Sequence, residues 1–255
     1  VISVTAAASD NAYCTLRENE PKYGSEAPWN EPWYWDGQTL NLYGSYGYSF
    51  NRSGDGGQNG AYYFEIESSN DEFHPTVLVS NSISMDLGSS GTFVYSEKDL
   101  TVKGAGMIKA TGTGTMFSSG DSISYYGGAI LSDDALTVFS AKKQIAYAEG
   151  QVIAPKGVFS SPDFFMTDGY IDLDSITAAD GNVSVTVYRG FLDLQTLMPG
   201  KAGTASIYDY NNCVIRSQDT SGDITDSNNG SLYLTCDDND SVMYLPKMDN
   251  IDWLR

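Results

Sequence analysis

The sequence predicts an all-β protein, an antiparallel β-sandwich or barrel of jelly-roll type with many short strands, on three observations. Short runs rich in Val, Ile, Thr, Tyr and Phe recur about every ten residues. Clusters of Gly, Ser, Asn and Asp separate them, and these residues favour turns because they supply positive φ or bond their own backbone. Helical periodicity is almost absent, and closely spaced strands without helices point to hairpin-linked sheets rather than βαβ units.

Taken in order, residues 1–75 carry "APWNEPWYWDG" (27–37), with three of the four tryptophans, and the tyrosine-rich "NLYGSYGYSF" (41–50). On an extended segment Trp33 and Trp35 project to one side and Tyr34 to the other, and Asp36-Gly37 turns the chain back. "YYFEIESS" (62–69) alternates as a strand with an acidic and an apolar side. The strand runs that follow are "TVLVS" (76–80), "TFVY" (92–95), "LTVK" (100–103), "SISYY" (122–126), "ALTVF" (135–139), "QIAYA" (144–148), "VSVTVY" (183–188), "TASIY" (204–208), "SLYLT" (231–235) and "SVMYL" (241–245). Two segments are helix candidates, a turn at "LDLQTLM" (192–198) and the tail "MDNIDWL" (248–254).

Ser-Ser-Pro in "VFSSPDFF" (158–165) interrupts two apolar runs, which divides the chain into a β domain over 1–160 and a smaller acidic β domain over 161–255. The alternative architecture is an irregular β-solenoid. "LTVKGAGMIKATGTGTMF" (100–117) has the short strands and small turn residues of a stacked coil, but no fixed repeat of twenty to fifty residues persists.

Composition narrows the function. Asp and Glu number 33 against 14 Lys and Arg, a formal charge of −19, and the only adjacent basic pair is Lys142-Lys143. Nucleic acid is bound by clustered cations that displace counterions, so it is not an expected partner, and neither is an anionic membrane surface. No window approaches the eighteen apolar residues of a membrane helix, so insertion is not expected. The single histidine, His74 in "DEFHPT", reads as a loop residue before a strand rather than a catalytic base. "GAGMIK" and "GTGTMF" lack the third glycine and the helix of a dinucleotide fingerprint.

Three chemistries remain open. Glu65 and Glu67 share one side of a strand, about 6.5–7 Å apart along its rise, a spacing compatible with two-carboxylate glycoside hydrolysis or with a solvated acidic face. Over three residues this run resembles the E-I-D-x-E strand of laminarinase-type β-sandwich glycosidases, with Glu67 where that family has Asp and Ser69 where it has its acid/base Glu. Calcium, which takes six to eight oxygens, could be met by Asp172, Asp174 and Asp180, by Asp219, Asp223 and Asp226, or by Asp237 and Asn239. Those stretches also read as solvated turns. Trp29, Trp33 and Trp35 with Tyr46 and Tyr48 could form a platform for pyranose rings or a protein hot spot, or could fill a core.

Of the three cysteines, Cys213 and Cys236 flank a long polar excursion and are the natural disulfide pair. Such a bridge would contribute roughly 3 kcal/mol in the chain-entropy view. Cys14 would stay free or pair between chains. Sequons at Asn51, Asn182, Asn229 and Asn239 are no more than an Asn- and Ser-rich chain produces by chance. Together these features predict an extracellular, envelope-surface or virion structural or adhesion protein, self-associating into homo-oligomers or a lattice, with a glycan or cell-surface protein as partner. A carbohydrate-binding module or two-carboxylate hydrolase is the alternative.

Overall fold

The computed structural model describes residues 12–23, 32–43, 49–51, 62–198, 200–201, 203, 205–209, 213–220, 224–226, 231–235 and 241–243. They are all-β, and the strands pair almost entirely in parallel. From residue 76 onward the chain visits three parallel ladders in constant rotation, so that each circuit adds one strand to each of three walls.

The first wall is built by Thr76–Val79, Leu100–Lys103, the start of Ser122–Leu131, the start of Gln144–Ser160, Asp163–Met166, Val183–Val187, Ala205–Asp209 and Ile224–Asp226. The second wall takes Ile83–Asp86, Met107–Thr111, the end of Ser122–Leu131 and the middle of Gln144–Ser160. It continues through the first halves of Tyr170–Thr177, Gly190–Met198 and Cys213–Thr220 to Ser231–Thr235. The third wall takes Tyr62–Glu67, Thr92–Ser96, Thr115–Ser119, Thr137–Ala141 and the later parts of the long strands. From Thr76 onward, partners on successive circuits lie about 17 to 25 residues apart in sequence, and Tyr62–Glu67 lies 30 residues before its partner strand.

This winding is the solenoid of the alternative expectation and replaces the antiparallel sandwich. The strands were legible, but their connections are corners that swing the chain to the next wall rather than hairpins that return it to the same one. A circuit therefore stacks on its predecessor, in parallel and in register, about 4.8 Å away.

Registration fills the interior with columns of like residues. Leu100, Ile123, Ile145, Phe164, Val185 and Ile207 stack inside the first wall, and Ile83, Ile108, Ile130, Val152, Ile171 and Leu192 inside the second. The third contributes Phe64, Val94, Phe117, Phe139, Phe159, Ile176 and Leu197. All belong to one continuous core.

Two corners are chemically regular. Between the third and first walls Ser96, Ser119 and Ser161 are buried, and each hydroxyl accepts the backbone N–H two residues on, from Lys98, Asp121 and Asp163. Between the first and second walls glycines stack. Gly190 has φ +102, and a Cβ there would lie 2.4 Å from the carbonyl oxygen of Gly169 one circuit below. Only glycine satisfies both the backbone and the close approach.

"LDLQTLM" is strand, part of Gly190–Met198, and not a helical turn. Leu192 and Leu194 point inward from the second wall, the chain bends, and Leu197 points inward from the third. A bent strand places three leucines in a spacing that imitates a helix. The tail 248–254 lies outside the described residues. At 158–165, Gln144–Ser160 completes the third wall and Asp163–Met166 resumes the first, so the winding runs through the sequence-expected boundary.

The N-terminal end is built differently. Lys22–Tyr23, Trp33–Trp35 and Thr39–Leu42 form an antiparallel meander whose last strand joins Thr76–Val79 of the first wall in parallel. Ala12–Arg17 lies in parallel on Tyr62–Glu67, and Ser49–Asn51 on Ile83–Asp86. At the other end Ser241–Met243 pairs antiparallel with Ser231–Thr235.

Candidate functional site

Trp33 and Trp35 do project to one side, and that side is the core. Their exposures are 6% and 0%. Trp33 meets Phe64 edge-on at 4.9 Å, Trp35 meets Phe73 at 6.4 Å, and the Trp35 indole N–H donates to the Arg17 carbonyl at 2.8 Å. These two indoles are packed in the core near the N-terminal end of the coil and offer no exposed face to a sugar, which corrects the platform expectation for them. Trp29, Tyr46 and Tyr48 lie outside the described residues. On the opposite side Tyr34 stacks on Tyr23 at 5.1 Å, and burial, followed by the nearby Asp36 carboxylate, raises its phenol pKa.

Glu65 and Glu67 both face outward from the third wall. Glu65 sits in register between Thr15 and Tyr95, beside the Tyr62–Tyr95 pair, whose rings stack at 4.4 Å and 10°. Burial raises both phenols, and the Glu65 and Glu97 carboxylates add to it. Glu67 accepts from the Arg17 guanidinium at 3.2 Å. The two carboxylates share a side as expected, but one is engaged by a cation, and they lie on a solenoid wall rather than in a sandwich cleft.

At the corner between the third and first walls, charges pair across circuits. His74 Nδ1 lies 3.3 Å from Asp99 Oδ2, and Asp99 Oδ1 accepts from the Ser122 backbone at 3.1 Å. Asp121 is held by Lys143, which lowers its carboxyl pKa, and Asp71 is held by Lys98 to the same effect. These contacts clip neighbouring circuits together along one edge. His74 is thus exposed and paired at an edge.

Of the sequence-predicted calcium ligands, Asp172 and Asp174 face outward near the second wall, and Asp180 is exposed in a turn bridged to Lys201. Asp172 is in register with Asp193, which is 3% exposed. Among the described residues no three His, Cys, Asp or Glu side chains gather as a metal site. Asp219 and Asp226 lie on strands whose side chains are not described, and Asp223, Asp237 and Asn239 lie outside the described residues. So does Cys236, and the Cys213 side chain is not described. Cys14 is a buried free thiol whose pKa burial raises.

One group was missed from the sequence. On the outside of the first wall Ala146, Phe165, Thr186 and Tyr208 form one column in register. Tyr188, whose N–H donates to the Met166 carbonyl and so extends the ladder, brings its ring 5.0 Å from Phe165. Tyr188 and Tyr208 are 41% and 37% exposed, and Tyr126, further back on this wall, is 48% exposed. The signal was present in "FFM", "VTVYR" and "SIYD", where one aromatic alternates with inward residues. Reading it requires knowing which side of each strand is the core.

No family model, no curated protein and no solved structure matches this chain.

Proposed function

We propose that this chain is a contact protein of a cell surface, cell envelope or virion. It would be an adhesin, spike, fibre or coat component that holds a glycan or surface receptor without turning it over. The observation that supports this reading is registration on the outer walls. Thr92, Thr115 and Thr137 stand in one column of the third wall, and Ser118, Ser140, Ser160 and Thr177 in the next. A wall that repeats one hydrogen-bonding group about every 4.8 Å fits an extended or repetitive partner better than a single small substrate.

The labelled protein is expected to bind host cells or immobilised glycans saturably, and to leave the chain length of a soluble β-glucan unchanged on incubation. β-Glucan hydrolysis that disappears in Glu65→Gln would replace this reading with the glycosidase one, which Glu65 beside the Tyr62–Tyr95 pair favours. Self-association is part of the proposal, and light scattering that reports only monomer at high concentration removes it. Calcium enters as a stabiliser through the acidic stretches around Asp219, Asp223, Asp226, Asp237 and Asn239. A melting temperature identical in Ca²⁺ and in chelator removes that element.

A further inference from the structure

We infer that the outer surface of the first wall, along Phe165, Tyr188 and Tyr208, is a binding track for a neutral, extended polysaccharide lying parallel to the solenoid axis. This rests on the contact-protein reading and names a place and a ligand class for it.

The spacing carries the argument. Phe165 and Tyr208 occupy the same column two circuits apart, with Thr186 between them. Two circuits span about 9.5 Å, comparable to the disaccharide repeat of an extended, equatorially linked glycan. Thr186 between the two rings and Ala146 on the other side of Phe165 are small, so no bulky side chain of the column crowds them. Tyr188 leans on Phe165 from the adjoining column at 58°, which makes the track wider than one ring. Tyr126, on the same wall toward the N-terminus, stands in a different column, in register with Lys103 and Glu149, and lies beyond the track.

Charge selects among glycans. Beside Tyr188 the Arg189 guanidinium donates to Asp168 at 2.8–2.9 Å, and beside Phe165 the Asp163 carboxylate accepts from the Gln144 amide at 2.5 Å. A chain of net charge −19 repels polyanions. Pyranose rings present C–H faces to aromatic side chains and hydroxyls to the threonines and carboxylates at the rim, whereas an apolar protein partner would leave those polar groups without a match.

The test is affinity electrophoresis of the whole chain in gels containing xyloglucan, glucomannan or polygalacturonate, alongside binding to cells. Retardation by at least one neutral polysaccharide, unchanged in high salt, and none by polygalacturonate, is expected. Phe165→Ala, Tyr188→Ala and Tyr208→Ala should each weaken it about fivefold to tenfold, the worth of one aromatic contact, and the triple variant should abolish it. Tyr188→Phe should retain it, which separates a lost ring from a lost fold, and Lys109→Ala on the second wall serves as control. Retardation that survives the triple variant, or only by the polyanion, overturns the inference. Cell binding without any polysaccharide binding overturns it and leaves the contact-protein reading standing. Loss of both in the wild-type chain overturns both.

Discussion

The N-terminal end and the circuits between residues 92 and 198 solve the same problem with different chemistry. In the circuits every inward side chain is covered above and below by its own column, so aliphatics and single rings of ordinary size suffice. At the N-terminal end the first circuit is flanked by strands outside the regular rotation, Ala12–Arg17, Thr39–Leu42 and Ser49–Asn51. There the chain gathers Trp33, Phe50, Tyr63, Phe64 and Phe93 into a cluster of edge contacts, sets Trp35 edge-on to Phe73 and adds a short antiparallel meander. The difference teaches that a solenoid is a nearly one-dimensional stack whose interior is self-covering, and that here the N-terminal end takes the large aromatics.

That contrast can be broken by measurement. Trp35→Ala is expected to cost about 3–5 kcal/mol in urea unfolding, against about 0.5–1.5 for Ile130→Val in a central column. Equal costs would mean the indole packs no better than a column residue. Gly190→Ala, which sets a Cβ against Gly169 of the circuit below, should destabilise by about 1–3 kcal/mol. Gly88→Ala, also at positive φ but with nothing within 4 Å of the new atom, should cost about 1 kcal/mol less. If the two match, backbone strain alone is at work and the glycine column has no packing role.

The central circuits also bury two phenols, Tyr125 and Tyr147, stacked at 5.1 Å, and burial raises both pKa values. Above pH about 10 the unfolded chain releases these protons and the folded chain keeps them, so stability falls as pH rises. The expected slope is about 1.4 kcal/mol per pH unit for each phenol. Tyr147→Phe should remove one share of that slope, and an unchanged slope would place the phenol in water. The smallest effect belongs to Ser175, whose hydroxyl is buried with no hydrogen-bond partner. Ser175→Ala is expected to leave stability unchanged or raise it by up to about 1 kcal/mol in the same urea titration.

Much of the secondary structure was readable and its assembly was not. The runs at 76–80, 92–95, 100–103, 122–126, 144–148 and 183–188 coincide with strands of the first and third walls. The second wall was missed at Ile83–Asp86, Met107–Thr111 and the first half of Tyr170–Thr177, because each stretch on this wall holds only two inward residues and most of its outward positions are polar or charged. With that wall missing, strands appeared about ten residues apart and suggested hairpins. With it, they recur at roughly a third of a circuit, too close for reversals and suited to corners. The unequal circuit length, which stretches and shrinks at the corners, hid the repeat. The candidate sites divide similarly: alternation placed Trp33 and Trp35 on one side, and Glu65 and Glu67 on one side, while only packing revealed that the first pair faces inward and the second outward.

The sequence by itself determined that this chain is made of short strands, because β-branched and aromatic alternation bounded by turn residues is a local property. It also determined a strongly acidic surface, since charge is a sum over composition. The tertiary structure decided that the strands stack in parallel, that Trp33 and Trp35 are buried in the core, and that Phe165, Tyr188 and Tyr208 share one outer wall. Those outcomes depend on which residue about twenty positions away lies in register, and period-two alternation assigns two sides to a strand without saying which of them is wet.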